Sequence, residues 1–225
     1  IKLSTDSKTG INPFDIEEEY NDDGTVSVDI KSKVADNLNL IAVMAGGLDR
    51  EQRSIVSHVL TKMYEDDFGI NENPLSLYQE SFSADGFLIH DKKKTMPTFS
   101  NFHNRLEQLG RDEENAKIIE LANALKMFKK GGTYDLFDRE TSDDLQEFAD
   151  APIVNFDISK LEEGILRPIG MYIALSWTWE KFVKKNPHIK KRIVCDEAWM
   201  LVNKNMAGNE FTAQFLENSA RRIRK

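Results

Sequence analysis

Two adjacent acids, Asp196 and Glu197, follow the short apolar run 193–195 and carry the clearest chemical signal in the sequence. An apolar run that ends in acids is typical of a buried parallel strand that reaches the carboxyl edge of its sheet, where α/β folds bind ligands. At such an edge an aspartate can hold the water shell of a phosphate-bound Mg²⁺, and a neighbouring glutamate can activate water. The pattern predicts a metal-binding Asp196 and a catalytic Glu197. Another interpretation stays open, in which both acids cap a helix or face solvent.

A basic cluster closes the sequence and contains Arg221, Arg222 and Arg224. One of these arginines could cross a subunit boundary and stabilise charge on a neighbour's γ-phosphate, an effect of about 10³ to 10⁵ in rate. The cluster could instead contact nucleic-acid phosphates. It could also only favour a helix C-terminus, by about 0.3 to 1 kcal/mol for each charge. The sequence leaves these three roles open.

The phosphate-binding loop of P-loop enzymes, G-x-x-x-x-G-K-[ST], does not occur in the 225 residues. That loop supplies the backbone N–H groups that surround the phosphates, together with a lysine. We therefore expect this span alone to bind ATP and Mg²⁺ poorly and to be inactive as an ATPase.

The elements around the two acids predict an α/β fold with parallel strands. Residues 152–158 and 193–195 have the apolar character of strands, and a long helical pattern over about 163–185 joins them. A strand, a crossover helix and a second strand form a β-α-β unit, which implies parallel strands covered by helices. Residues 1–31 are predicted as short strands and turns that form the first part of this core. Residues 131–225 are predicted to form its second part.

Residues 32–130 are predicted to form an all-helical subdomain inserted between those two parts. Apolar residues recur there at helical spacing, for example from Val34 to Ala45 and from Ile55 to Met63. Glycine pairs at 46–47 and 131–132 end helical patterns within and after this block. The many charged residues of the block are interpreted as solvated helix faces.

The composition excludes several classes of protein. With 40% hydrophobic and 30% charged residues the chain is neither disordered nor fibrous, and its net charge of −8 argues against a surface that binds nucleic acid throughout. One cysteine excludes an internal disulfide framework. The most apolar run, 169–179, is shorter than the roughly 20 residues that span a bilayer. Both ends look cut, so we expect a piece of a longer, cytoplasmic protein.

The run Asp196-Glu197-Ala198-Trp199, with the apolar residues before it, resembles the Walker B motif of conjugative type IV secretion ATPases of the VirB-four/TraE/TrbE kind. Three other stretches are similar to elements of that family in the same order. They are the Asn-Pro-Phe stretch at 11–16, the loop 133–138 that ends in Leu-Phe-Asp, and the basic motif at 219–225. The resemblance covers nearly the whole chain.

The resemblance implies a RecA-like P-loop NTPase core with an all-helical subdomain, and ATP and Mg²⁺ as ligands. It implies that Asp196 positions Mg²⁺ through water, that Glu197 activates the hydrolytic water, and that Arg221, Arg222 or Arg224 acts on an adjacent subunit. In the family the phosphate-binding loop precedes the Asn-Pro-Phe element, so truncation would explain its absence here. The whole protein would be a ring, expected to be a hexamer, at the inner face of the cell membrane beside other secretion subunits.

Two other functions remain possible on the sequence alone. A DNA-translocating ATPase of the FtsK/HerA kind shares the same core, and stimulation of ATP hydrolysis by DNA would favour it. A non-catalytic docking module, whose helical block binds partner proteins, would show no ATPase activity in the full-length protein.

Overall fold

The computed structural model describes residues 1–4, 7, 9–20, 23–148, 151–184, 189–201, 213 and 217. These residues form a mixed α/β fold in which helices and two small antiparallel sheets are combined. The α-helices are α1 (Ile30–Met44), α2 (Arg50–Lys62), α3 (Phe99–Asp112), α4 (Ala116–Leu125), α5 (Asp143–Phe148) and α6 (Leu166–Thr178). The strands are β1 (Glu19–Tyr20), β2 (Val26–Ser27), β3 (Tyr78–Phe82) and β4 (Leu88–Lys93). Two π-helical segments, Met63–Asp67 and Trp179–Lys184, continue α2 and α6.

The helices of the central block begin where local sequence signals predict. The Asp49 carboxylate accepts a hydrogen bond from the Gln52 backbone N–H at 2.8 Å, and the Gln52 side chain accepts one from the Asp49 N–H at 2.9 Å. This reciprocal arrangement satisfies N–H groups that the first turn of α2 cannot pair. The Asn115 side chain also accepts hydrogen bonds from first-turn N–H groups of α4, without the reciprocal bond. The predictions of helices along α1, α2, α3 and α4 are confirmed.

The predicted Asn-Pro-Phe stretch lies at the centre of the core. The Phe14 side chain is fully buried, and its ring centroid lies 6.3 Å from those of both Phe99 and Phe102 on α3. The Tyr64 hydroxyl donates a hydrogen bond to the Phe14 carbonyl at 2.7 Å and accepts one from the Asn37 side chain at 3.0 Å. The early loop is therefore anchored against α1, α3 and the end of α2.

The prediction that residues 32–130 are all helical is wrong, because β3 and β4 form an antiparallel hairpin inside that block. Tyr78 pairs with Lys93 at the base, and Phe82 pairs with Leu88 next to the turn. Gly86 in the turn has a φ of +80°, in the left-handed region that glycine adopts without a steric penalty.

A half-buried ion-pair network fixes the base of this hairpin. The Glu17 carboxylate lies 2.6 Å from the Lys93 ammonium on β4 and also binds Lys181, just after α6. Burial alone would raise the pKa of Glu17, but the attraction and hydrogen bonds of the two lysines outweigh burial and lower that pKa. Glu17 therefore joins the hairpin to the end of the apolar helix.

The described residues contain one trace of the predicted parallel sheet. Residues 1–3 run parallel to 155–157, with a single bridge between Lys2 and Asp157. The Leu3 N–H donates to the Asp157 carbonyl at 2.9 Å, and the Asp157 N–H donates to the Ile1 carbonyl at 2.7 Å. The expectation of a parallel sheet flanked by helices is thus not met in the described part of the chain, where the two sheets are antiparallel.

A single cluster of buried apolar side chains runs through all three predicted parts of the chain. It includes Leu3 near the start, Leu60 and Phe102 in the central block, and Ile169 and Trp177 on α6. The division at residues 31 and 130 stays a prediction. Among the described helices, none has the length and apolar character that crossing a bilayer requires.

Candidate functional site

Asp196 and Glu197 lie at the surface of the molecule, in a turn that leads to the short 3₁₀ helix Ala198–Leu201. The prediction that they end a buried strand is wrong for this structure, because residues 189–195 form no strand and the Val194 side chain is 83% exposed. A strand requires a neighbour for its backbone N–H and C=O groups. Residues 193–195 instead line a cleft together with residues of the segment 153–158.

The turn holds Glu197 in an unusual backbone conformation. Its φ is +53°, and its N–H donates a hydrogen bond to the Asp196 carboxylate at 2.9 Å. A left-handed residue with a side chain costs about 1–2 kcal/mol, and such residues cluster at functional sites. The two neighbouring carboxylates therefore belong to one tight turn.

Arg167, in the first turn of α6, is the residue of this site that sequence reasoning missed. Its guanidinium Nη1 lies 2.9 Å from the Glu163 carboxylate and 3.8 Å from that of Glu197, and its Nη2 donates to the Ser159 carbonyl at 3.3 Å. Only 15% of the Arg167 side chain is exposed, and its buried Nε has no hydrogen-bond partner among the described residues. A lone arginine at the start of an otherwise apolar helix was the signal available in the sequence.

In the loop before α6, backbone N–H groups donate hydrogen bonds to an acidic side chain of the same loop. The Glu162 carboxylate accepts hydrogen bonds from the Ile165 and Gly164 N–H groups at 2.7 and 2.6 Å, and these bonds lower the pKa of Glu162. A hydrogen bond from Ser159 likewise lowers the pKa of Asp157. The Arg167 charge also lowers the pKa of Glu162, so a charged carboxylate of this loop faces the start of α6.

The exposed carboxylates suit Mg²⁺ better than they suit a phosphate. Mg²⁺ keeps several waters and is bound through one or two carboxylates, so an accessible Asp196 can serve it without a closed protein site. In the described residues no group of three or more His, Cys, Asp or Glu side chains is arranged to hold a metal. Among the described residues, Arg167 is the cation within ion-pair distance of Glu197.

A cleft of about 760 Å³ has Asp196 in its lining. Its walls are residues 151–158, α6 with the segment after it, and residues 189–196. The apolar Ile153 side chain is 84% exposed beside it. Three consecutive basic residues, 190–192, line one wall. The cleft thus combines an apolar lining with a basic rim.

The three candidate arginines, Arg221, Arg222 and Arg224, lie outside the described residues, so their roles stay predictions. The same holds for the roles of Asp196 and Glu197, which the structure places side by side.

Comparisons with known proteins give a likeness of fold. No protein-family model matches the chain, and no curated protein sequence does either. A solved structure of VirB4 from Thermoanaerobacter pseudethanolicus matches with a TM-score of 0.66 and 18% sequence identity. The match covers 100% of this chain and 75% of that one. The resemblance to VirB4-type ATPases expected from the sequence is confirmed at the level of the fold.

Proposed function

We propose that this chain belongs to the ATPase of a type IV secretion or conjugation apparatus. The observation that carries the proposal is the likeness of fold to VirB4, which extends over the whole chain. The motif order noted in the sequence, from the Asn-Pro-Phe stretch to the basic cluster, supports it independently. Asp196 and Glu197 do not end a strand in this structure. The proposal therefore depends on the fold and the motif order.

In this proposal Asp196 holds Mg²⁺ through water, and Glu197 orients the water that attacks the γ-phosphate of ATP. Mg²⁺, when bound, would neutralise charge that develops on the phosphates. Arg167 lies 3.8 Å from the Glu197 carboxylate and would help to hold that carboxylate in place. The phosphate-binding loop of the RecA-like core would lie in a part of the protein outside these 225 residues.

The proposal extends to the assembly. We place the complete protein in a ring, with six subunits as the expected number, at the cytoplasmic face of the inner membrane and beside other secretion subunits. One of Arg221, Arg222 and Arg224 would then reach the neighbouring subunit's nucleotide.

The decisive variant is Glu197→Gln in the complete protein. The amide keeps the size of the side chain but cannot accept a proton from water, so hydrolysis should fall about 10²- to 10⁴-fold. ATP binding should persist, because Glu197 is not assigned a binding role for the phosphates. Phosphate release and nucleotide titration measure the two effects separately.

Glu163→Gln is the matched control, since Glu163 contacts the same guanidinium and is also exposed. It should retain hydrolysis. Equal loss in both variants would assign the effect to the position of Arg167, and normal turnover of Glu197→Gln would remove Glu197 from its proposed role.

A further inference from the structure

An ion pair joins Arg167, in the first turn of α6, to Glu197 in the candidate site. The Nη1 atom of Arg167 lies 3.8 Å from the Glu197 carboxylate. This distance is too long for a hydrogen bond but short enough for attraction between opposite charges. The contact is therefore electrostatic, and a modest movement of the Glu197 side chain breaks it.

The guanidinium of Arg167 is anchored independently of Glu197. Its Nη1 atom donates to the Glu163 carboxylate at 2.9 Å, and its Nη2 atom donates to the Ser159 carbonyl at 3.3 Å. Both acceptors belong to the loop that precedes α6. The Arg167 side chain is 15% exposed, whereas that of Glu197 is 52% exposed. Glu197 is therefore the partner that can leave the pair while the arginine stays.

The turn that carries Glu197 has a second conformation within reach. Its φ of +53° is one that a residue with a side chain adopts only at a cost. Such strain persists where surrounding contacts hold it. Among the described residues, the polar contacts of Glu197 are the bond from its N–H to the Asp196 carboxylate, at 2.9 Å, and the ion pair with Arg167. Without them the turn can relax to a negative φ, which moves the Glu197 carboxylate away from α6.

The ion pair is compatible with the parallel core proposed for the complete protein. In a β-α-β unit the crossover helix begins at the edge of the sheet where both strands have their carboxyl ends. Arg167 begins the helix that follows 153–158, and Glu197 follows 193–195. The two residues therefore meet at that edge whether or not the two segments are hydrogen-bonded to each other.

We propose that Arg167 is a positioning residue that restrains Glu197 until Mg²⁺ and ATP bind. In the restrained state the Asp196 carboxylate is occupied by the Glu197 N–H. Asp196 must give up that bond to hold the water shell of Mg²⁺, and the turn then loses one of its two supports. A ligand shifts an equilibrium towards the state that it binds better, so Mg²⁺ with ATP favours the released state. The inference rests on the proposed function, because it regulates the same two acids.

Trp199 reports the restraint without any nucleotide. It lies two residues after Glu197 and is 59% exposed, whereas Trp177 and Trp179, the other two tryptophans of the chain, are buried. Acrylamide therefore quenches mainly the fluorescence of Trp199. Arg167→Gln should raise the quenching constant of the 225-residue chain, because the turn is no longer held against α6. Glu197→Gln should raise it equally, because it removes the same pair.

A double-mutant cycle measures the ion pair itself. Arg167→Gln, Glu197→Gln and the double variant are unfolded in urea. The pair should change the unfolding equilibrium constant about two- to fivefold, as other partly exposed ion pairs do. The matched control is Arg105→Gln, since Arg105 on α3 also pairs with two carboxylates of another segment. It should show no coupling to Glu197 and no change in the quenching of Trp199.

Nucleotide titration of the complete protein tests the regulation. A restraint on the free protein weakens its apparent affinity, so Arg167→Gln should bind ATP with Mg²⁺ about two- to fivefold more tightly than the parent. Glu197→Gln should show the same gain, and the double variant should show no further gain. In EDTA the gain should disappear, because Asp196 then has no Mg²⁺ to hold. Arg167→Lys keeps the charge and should keep the parent's affinity.

Because Arg167 is largely buried, Arg167→Met, which keeps the length of the side chain, replaces Arg167→Gln if the glutamine variant does not fold. Absence of coupling in the cycle, or an affinity for ATP and Mg²⁺ that is unchanged or weaker in the folded variant, would overturn the inference. A complete protein that binds no ATP would remove the proposed function and this inference with it. Loss of hydrolysis in Glu197→Gln together with unchanged binding by Arg167→Gln would remove the inference alone.

Discussion

Glu197 and Glu114 share a backbone conformation but owe it to different causes. Among the described residues they are the two with a side chain and a positive φ, +53° and +51°. Glu114 follows the C-cap of α3, where a left-handed residue closes a helix, and the next N–H, of Asn115, donates to the Gly110 carbonyl at 3.0 Å. Glu197 follows no helix. The end of α3 explains the left-handed conformation of Glu114. The conformation of Glu197 has no such cause and occurs in the turn that carries the paired carboxylates.

Glu114→Gly should therefore stabilise the protein. Glycine adopts the left-handed conformation without the steric cost of a side chain, and part of that gain is offset by its greater freedom in the unfolded chain. We expect a rise of about 1 kcal/mol in the free energy of unfolding, measured in urea.

The neighbouring change Glu113→Gly is the control, since Glu113 has φ −90° and gains nothing from glycine. It should lower the free energy of unfolding by about 0.5 to 1 kcal/mol. A destabilising Glu114→Gly would show that the Glu114 side chain contributes more than its conformation costs.

At the scale of elements, the hairpin depends on Glu17, which binds both Lys93 and Lys181. Glu17→Gln should lower the free energy of unfolding by about 1 kcal/mol at neutral pH, a value reduced for the partial exposure of the three groups. Amide hydrogen exchange in β3 and β4 should accelerate.

The pH dependence has a definite sign. The pKa of Glu17 is lowered in the folded state, so its contribution is present above the unfolded pKa and is lost as pH falls through the lowered one. The free energy of unfolding in urea should therefore differ between Glu17→Gln and the parent protein at neutral pH. At about pH 2–3 the two values should be equal.

Glu72→Gln is the comparison, because the Glu72–Lys31 pair is almost fully exposed. Its effect should stay below about 0.5 kcal/mol at either pH. If the stability difference between Glu17→Gln and the parent protein persists in acid, the packing of the Glu17 side chain, and not its charge, causes the difference.

Elements whose signals are local could be predicted from the sequence. The cap at Asp49 and the apolar spacing of α2 specify a helix within a dozen residues. The hairpin also has a local signal, Asp85-Gly86, but the helical patterns on both sides of it predict helix for the whole block. The strand expected at 193–195 depends on a distant partner, which its own residues cannot reveal. The Arg167–Glu197 contact could not be predicted either, because its two residues lie far apart in the sequence.

At the scale of the whole molecule, the continuous core predicts a single unfolding transition. Side chains from all three predicted parts share one buried cluster, so the central block has no separate core among the described residues. Calorimetry should show one cooperative peak whose calorimetric and van't Hoff enthalpies agree. Two resolved peaks would instead support independent folding of residues 32–130.

The parallel pairing of residues 1–3 with 155–157 also constrains synthesis of the protein. The Ile1 amino group and the Asn155 carbonyl are 154 positions apart. At about 5–20 residues per second a ribosome needs roughly 8–30 s to cover that distance. During most of this time residues 1–3 wait for their pairing partner, and the apolar Leu3 side chain needs protection from other nascent chains.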